Sequence, residues 1–241
     1  MNGTPSDQQL LQVVSGPTPK AIADVIAMIQ NIDQLLRGND GLKWFNRLYL
    51  MVTQQVGAQS SGSVWNNAQW LDRLDVVFAG LYFVALTGFL THSTNTPSSW
   101  NALFEGRFNA GVDRIQFALA GMNAHINHDL ALALLQTDDE LQLTPGLNSP
   151  EHDDYERVNS LLKSVLPAAL QVLATGITGE LAQDTGKIGR FLAIWDIKVA
   201  RDLAWDFADH LRNLNGMPRM VALTEQDQLT GGIGRSLLLP V

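Results

Sequence analysis

Apolar residues recur at spacings of three and four along most of the chain, which is the period of a helix with one buried face. The first such run carries Ala21, Ile22, Val25, Ile26, Ile29, Ile32, Leu35 and Leu36. Thr18-Pro19 supplies a start signal for it and Gly38 a stop. Asp40 is placed to cap a second helix with Leu42, Phe45, Leu48, Tyr49 and Val52, ending near Gly57. A Ser/Gly/Asn-rich loop follows over 58–67, and then a very apolar helix over 70–90. Within it, residues 76–90 form a charge-free run of fifteen, short of the about 20 that a bilayer span needs. The expectation is a core helix enclosed by its neighbours.

Residues 92–99 read as a Ser/Thr/Pro loop, 100–104 as a short helix, and 110–137 as one long helix. After a proline-containing loop over 137–149, Ser149-Pro150-Glu151 starts a helix with Tyr155, Val158, Leu161, Leu162 and Val165. Pro167 should kink or restart it. A glycine-flanked break is expected over 176–186 and a last long helix over 188–214, stopped by Asn215-Gly216-Met217-Pro218. Convincing strand alternation is missing, and no repeat with a period of roughly 20–50 residues is found. The pattern predicts an all-α, single-domain bundle of six to eight helices around a central apolar helix. Residues 1–17 read as a loose arm around Leu10 to Val14, 18–220 as the bundle, and 221–241 as a glycine-bearing tail.

Composition narrows the picture. Of 241 residues, 46% are hydrophobic and 17% charged, so the chain has the makings of a core and is not of the disordered class. Cysteine is absent, which excludes disulfides, thiolate metal sites and a cysteine nucleophile. A net charge of −8 with 16 Lys+Arg argues against nucleic-acid and anionic-membrane partners. The polar start of the sequence has no basic segment leading into an apolar one, so no secretory signal is read and a soluble cytoplasmic protein is expected.

The chemistry concentrates in residues 121–134. Placed on a helix, Ala118, Met122, His125, Asp129 and Leu132 share one row, Gly121, Ala124, His128, Ala131 and Leu135 another. Neighbours in both rows are apolar or small, so this helix is expected to be central. Its polar residues Asn123, His125, Asn127, His128 and Asp129 then need partners, since an unpartnered buried polar group costs about 1–3 kcal/mol. One reading is the polar floor of a cavity, with His125 as general acid/base and Asp129, one turn away, as its orienter. The competing reading is a buried hydrogen-bond network that fixes helix register. A metal is a third: His125 with Asp129, or with His128, offers two ligands, and a third could come from His92, Asp154 or the last helix. The His-Glu-x-x-His and Glu-x-x-His patterns are absent.

Segment 121–134, with Asp154-Tyr155-Glu156-Arg157-Val158-Asn159 and Ala200-Arg201-Asp202-Leu203-Ala204-Trp205, resembles a bacterial, mostly helical family known only as a domain of unknown function. Its motif is Asn-Ala-His-Ile-Asn-x-Asp-Leu, and the resemblance covers about 100–214. It implies that Asn123, His125, Asn127, Asp129, Asp154, Arg157, Asn159, Arg201 and Trp205 occupy the family's marked positions. His128 falls in the variable slot. No activity comes with the resemblance.

In the last helix, Arg201 and Trp205 share a mostly apolar row, which makes Arg201 a candidate partner for Asp129 or for an anionic ligand group. Asp202, Asp206 and Asp209 read either as a carboxylate stripe for Mg²⁺ or as an exposed face paired to Lys198, His210 and Arg212. Asp153 and Asp154 suit the first turn of their helix by its dipole alone. His92 opens a loop where a side chain reaches a cavity mouth or the surface. The six tryptophans, Trp44, Trp65, Trp70, Trp100, Trp195 and Trp205, are core or pocket lining. Neither a nucleotide- nor a haem-binding motif is found, and no Gly-x-Ser-x-Gly elbow, so the cofactor is left open, a metal included.

The preferred expectation is an enzyme that takes a largely apolar small molecule into a bundle cavity. Lyase, cyclase or isomerase chemistry suits it better than redox chemistry. His125, Asp129 and Arg201 would be catalytic, and Asn123, Asn127, Asp154, Trp205 and His92 would bind substrate. The alternatives are a non-catalytic ligand-binding or interaction module, and an Mg²⁺- or Zn²⁺-dependent helical enzyme such as a cyclase.

Overall fold

A computed structural model of the chain describes residues 5–59, 64–174 and 196–240. Among them there are ten α-helices, one π-helical turn and no strand. In chain order they are α1 (Pro5–Val14), α2 (Ile22–Leu35), α3 (Leu42–Gln59), α4 (Ala68–Leu90), α5 (Ser98–Gly106), α6 (Arg114–Ala124), the π turn (His125–Asp129), α7 (Leu130–Leu141), α8 (Pro150–Ala174), α9 (Ile197–Arg212) and α10 (Gly216–Leu237). The fold is all-α, as the periodicity predicts. The break expected at 176–186, the start of the last helix before 196 and Trp195 lie outside the described residues.

Three segments differ from expectation and raise the helix number above six to eight. The arm forms α1. It buries Leu10 and Val14, and its Asp7 reaches the buried Arg107 at 2.7 Å, which also holds Asp40 at 2.9 Å. The glycine-bearing tail forms α10, in which Gly231 and Gly234 are contact points and not breaks. A Cβ on Gly231 would lie 2.7 Å from the Ser98 carbonyl oxygen, and one on Gly234 would lie 2.9 Å from the Ala102 Cβ. α10 thus packs on α5 along a bare strip. Asp227 accepts from the Ser98 and Ser99 amides at 2.8 and 2.9 Å, and Gln116 donates to the Leu237 and Leu239 carbonyls.

The long helix expected over 110–137 is the third difference. Gly111 adopts φ +77, so the helix starts only at Arg114, capped by Asp113 and Gln116. It widens into the π turn at His125–Asp129 and runs on as α7 until Gln142, in the left-handed region.

Start and stop signals fared unevenly. Asp40 accepts from the Leu42 amide and Ser149 from the His152 amide, as cap residues should. Thr18-Pro19 starts nothing: α2 begins at Ile22, where Asp24 reaches back to the Lys20 and Ala21 amides. α8 runs through Pro167. The carbonyl that this proline leaves unpaired belongs to the exposed Lys163, where water can meet it.

α4 packs on α1, α2, α5, α7, α8 and the π turn, but it is not fully enclosed as expected. By length and composition it is apolar enough to cross a membrane, and only 44% of its most apolar window is buried. Val84 is 69% exposed. The opposite face of α4 carries Leu71, Leu74 and Phe78 toward the π turn, and this contact positions the site.

Candidate active site

The chain signature His125-Ile126-Asn127-His128-Asp129 is the π turn itself. Such turns are uncommon and are frequently found at functional sites. Here it lets two histidines grip one carboxylate. His125 Nδ1 lies 3.0 Å from Asp129 Oδ2, and His128 Nδ1 lies 2.7 Å from Oδ1. From α5, Trp100 Nε1 donates to Oδ2 at 2.9 Å. Burial alone would push the Asp129 carboxyl up. The hydrogen bonds and charges of His125 and His128 outweigh it and hold the group below the usual carboxylate range. Asp129 is therefore a buried, fixed anion.

His125 is enclosed in rings. Phe78 lies parallel to it with centroids 3.5 Å apart, and Tyr49 meets it edge-on at 4.6 Å. Burial lowers its pKa, against the opposing pull of Asp129. At neutral pH the imidazole thus carries one proton. Because Nδ1 faces a carboxylate, which only accepts, that proton sits on Nδ1, and Nε2 keeps its lone pair. His125 Nε2 is buried and has no hydrogen-bond partner among the described residues.

Beside it is a small chamber of about 50 Å³ between α3, α4, α8, α9 and the π turn. Its walls are mostly apolar, including Val56, Leu74, Met122 and Leu162. Two charged side chains also reach it, Asp75 from α4 and Arg201 from α9. Each brings a buried polar atom without a partner among the described residues, Asp75 Oδ2 and Arg201 Nε. Burial, aided by the nearby Asp72 and opposed by Arg201, pushes the Asp75 carboxyl up to about 7. The volume suits a few water molecules or a ligand of a few heavy atoms.

Arg201 is held rigidly. Its Nη2 donates to the Tyr155 carbonyl at 2.7 Å, its guanidinium lies 4.0 Å from the Tyr155 ring centroid, and the Tyr155 hydroxyl donates to the Arg201 carbonyl at 2.6 Å. It does not pair with Asp129, whose oxygens are taken by His125, His128 and Trp100.

The other expected site residues lie elsewhere. Asn123 donates to the Thr230 carbonyl at 2.9 Å and accepts from Asn127 at 3.0 Å, and the Asn127 carbonyl accepts from Gln226. This pair anchors α10, so it lines no part of the chamber. Asp154 accepts from the Asn66 and Asn67 amides at 2.9 and 2.7 Å and fixes the loop before α4. Trp205 packs among Tyr155, His152 and Trp70. His92 is exposed in a left-handed turn after α4, outside the chamber. Of the expected eight, the structure brings together His125, Asp129 and Arg201.

Asp75, Tyr49 and Phe78 join the site without having been expected there. The one signal for Asp75 in the sequence is a carboxylate flanked by Leu74 and Val76 at the edge of the most apolar run of the chain. Among the described residues no group of three His, Asp or Glu side chains is placed to hold a metal ion. The aspartate stripe of α9 is occupied in part by cations: Asp202 pairs with Lys198 at 2.9 Å and Asp209 with Arg212.

A family profile matches residues 22–240. The chain belongs to DUF5995, a family of unknown function. The match includes α10, so the family's shared region extends past the boundary expected at 220. No curated protein and no solved structure matches the chain significantly.

Proposed function

We propose that this protein is an acid–base enzyme acting on a small molecule in the apolar chamber beside His125, as a soluble cytoplasmic protein. His125 Nε2 is the general base, and in its protonated form the general acid. Asp129 fixes the ring orientation and stabilises the imidazolium. Arg201 Nε is the donor available to an anionic or carbonyl oxygen of the substrate, and Asp75 a second proton acceptor or donor. Proton transfer without redox chemistry fits these groups, as in lyases, isomerases and cyclases.

The observation that carries this reading is the unpartnered Nε2 of a histidine whose other nitrogen is held by a buried carboxylate. Structural histidines are normally satisfied at both nitrogens. The chamber volume favours substrates, or reacting ends of substrates, of a few heavy atoms. A thermal-shift screen of small carboxylic acids, hydroxy acids and carbonyl compounds, followed by NMR detection of turnover, tests it. A hit should be converted by the wild type, and His125→Gln should bind it without converting it. Equal turnover by both proteins would refute the assignment of His125.

A second reading, a non-catalytic ligand-binding module, is favoured by one observation: Asn123, Asn127 and Asp154 have wholly structural partners. It predicts hits in the same screen with no conversion by either protein.

A further inference from the structure

The hydrogen-bond chain of the site does not end at Asp129. His128 Nδ1 holds Asp129 Oδ1, while its Nε2 lies 3.7 Å from Asp227 Oδ1 of α10. The His128 side chain also lines a surface groove of about 560 Å³, between the loop before α5, α5 itself and α10. The groove shares no lining residue with the chamber. Two separate spaces, one solvent-facing and one enclosed, are thus joined through Asp227, His128, Asp129 and His125.

The arrangement around Asp129 makes this link consequential. Its two oxygens serve two imidazoles, one each, and Trp100 restrains the carboxylate from α5. A charge on one imidazole is felt by the other through this shared anion. We propose that His128 is a positioning residue that sets the basicity of His125 from the groove side: a proton taken up by His128 draws on the negative charge of Asp129 and leaves less of it to support a proton on His125.

The groups that face His128 are consistent with a residue that gains and loses a proton there. Asp129 and Asp227 favour its charged form, and their combined effect outweighs its burial and raises its pKa. Glu105 from α5 and Arg235 from α10, of opposite sign, line the same groove. The proton comes from groove water and returns to it, so no other reactant is needed. A groove ligand that covers His128 or neutralises Asp227 would change His125 without entering the chamber.

The inference rests on His125 being the base of the proposed function, but its test needs no turnover. Histidine-ring ¹H–¹⁵N NMR spectra are recorded against pH for the wild type, His128→Gln and Asp227→Asn. In the wild type, the His125 curve should show a second inflection at the His128 midpoint. In His128→Gln that inflection should vanish and the His125 midpoint should rise by about one pH unit, the scale on which paired titrations couple. Asp227→Asn should lower the His128 midpoint and carry the inflection with it. Should His128→Gln fail to fold, the other two proteins suffice. A His125 curve with one inflection in the wild type, unmoved by either substitution, overturns the proposal and leaves His128 a packing residue. Loss of the coupling with His125 turnover intact defeats only this inference, whereas intact coupling with turnover independent of His125 defeats only the functional reading.

Discussion

Phe78 lies flat on the His125 imidazole, with 3.5 Å between ring centroids and 5° between planes. The contact restricts rotation of the imidazole and keeps water off one of its faces. It is one source of the burial that lowers the His125 pKa. Phe78→Leu should therefore raise the His125 midpoint toward the usual value of about 6.5, at a stability cost of roughly 1 kcal/mol. Ring NMR titration and urea denaturation check the two effects.

Asp129 serves three donors at once, so its amide replacement should be felt at all three. Asp129→Asn removes the only anion within the turn and presents an N–H to a ring that needs an acceptor. A loss of roughly 3–5 kcal/mol in urea denaturation is expected, as for a broken buried ion pair. Once a substrate is in hand, turnover should fall roughly 10⁴-fold, the penalty of a histidine held in the wrong tautomer.

The pH dependence of stability should carry two opposed signatures. The folded-state pKa of Asp75 is raised from the ordinary 3.8 to about 7. Between those values the native protein holds a proton that the unfolded chain has released, so the Asp75 contribution is full at low pH and is lost as pH rises through about 7. His125 works in the other direction. Its folded pKa is lowered, the unfolded chain binds the proton first, and its contribution falls as pH drops below about 6.5. Asp75→Asn should leave Tm near the wild-type value at pH 4 and raise it by several degrees at pH 8, at roughly 2–4 °C per kcal/mol for a chain of this size. Calorimetry across that range checks both the sign and the window.

Helix approach at two glycines supports the site from outside. A Cβ on Gly121 would stand 2.3–2.6 Å from atoms of Phe45, a ring in edge contact with His125. Gly121→Ala should cost about 1–3 kcal/mol through overpacking and disturb the His125 ring resonances. Gly231→Ala meets Ser98 backbone on the groove side, so it should lower Tm similarly while leaving those resonances closer to their wild-type positions. Paired thermal melts and NMR spectra distinguish the two.

Part of the site is legible in local sequence signals. The spacing of His125 and Asp129 puts them on one face, and the apolar rows around them imply burial, which the structure has. Their grip on each other depends on a π turn, which no hydrophobic periodicity announces. Asp75 is not legible in the sequence because Arg201 and His125, which line the same chamber, are distant along the chain, and only the packing of α4 and of α9 on the π turn brings the three to one space. Asn123 is expected in the site because it is polar in apolar surroundings, and Asp154 because the resemblance marks its position and a carboxylate there could serve as a third metal ligand. Neither signal carries a direction, and the partners of the two side chains include the backbones of α10 and of the loop before α4. Gly231 and Gly234 fall in the segment that reads as a glycine-bearing tail outside the bundle, and glycine weakens an isolated helix. In α10 their lack of side chains is what allows close packing on α5.

The proposed chemistry depends above all on which nitrogen of His125 carries its proton. Histidine-ring ¹H–¹⁵N NMR of the uniformly labelled wild-type protein at pH 7 reads this directly. The prediction is a neutral ring with an Nδ1–H and a bare, pyridine-like Nε2. A ring protonated at Nε2 alone, or a full imidazolium at that pH, would contradict it.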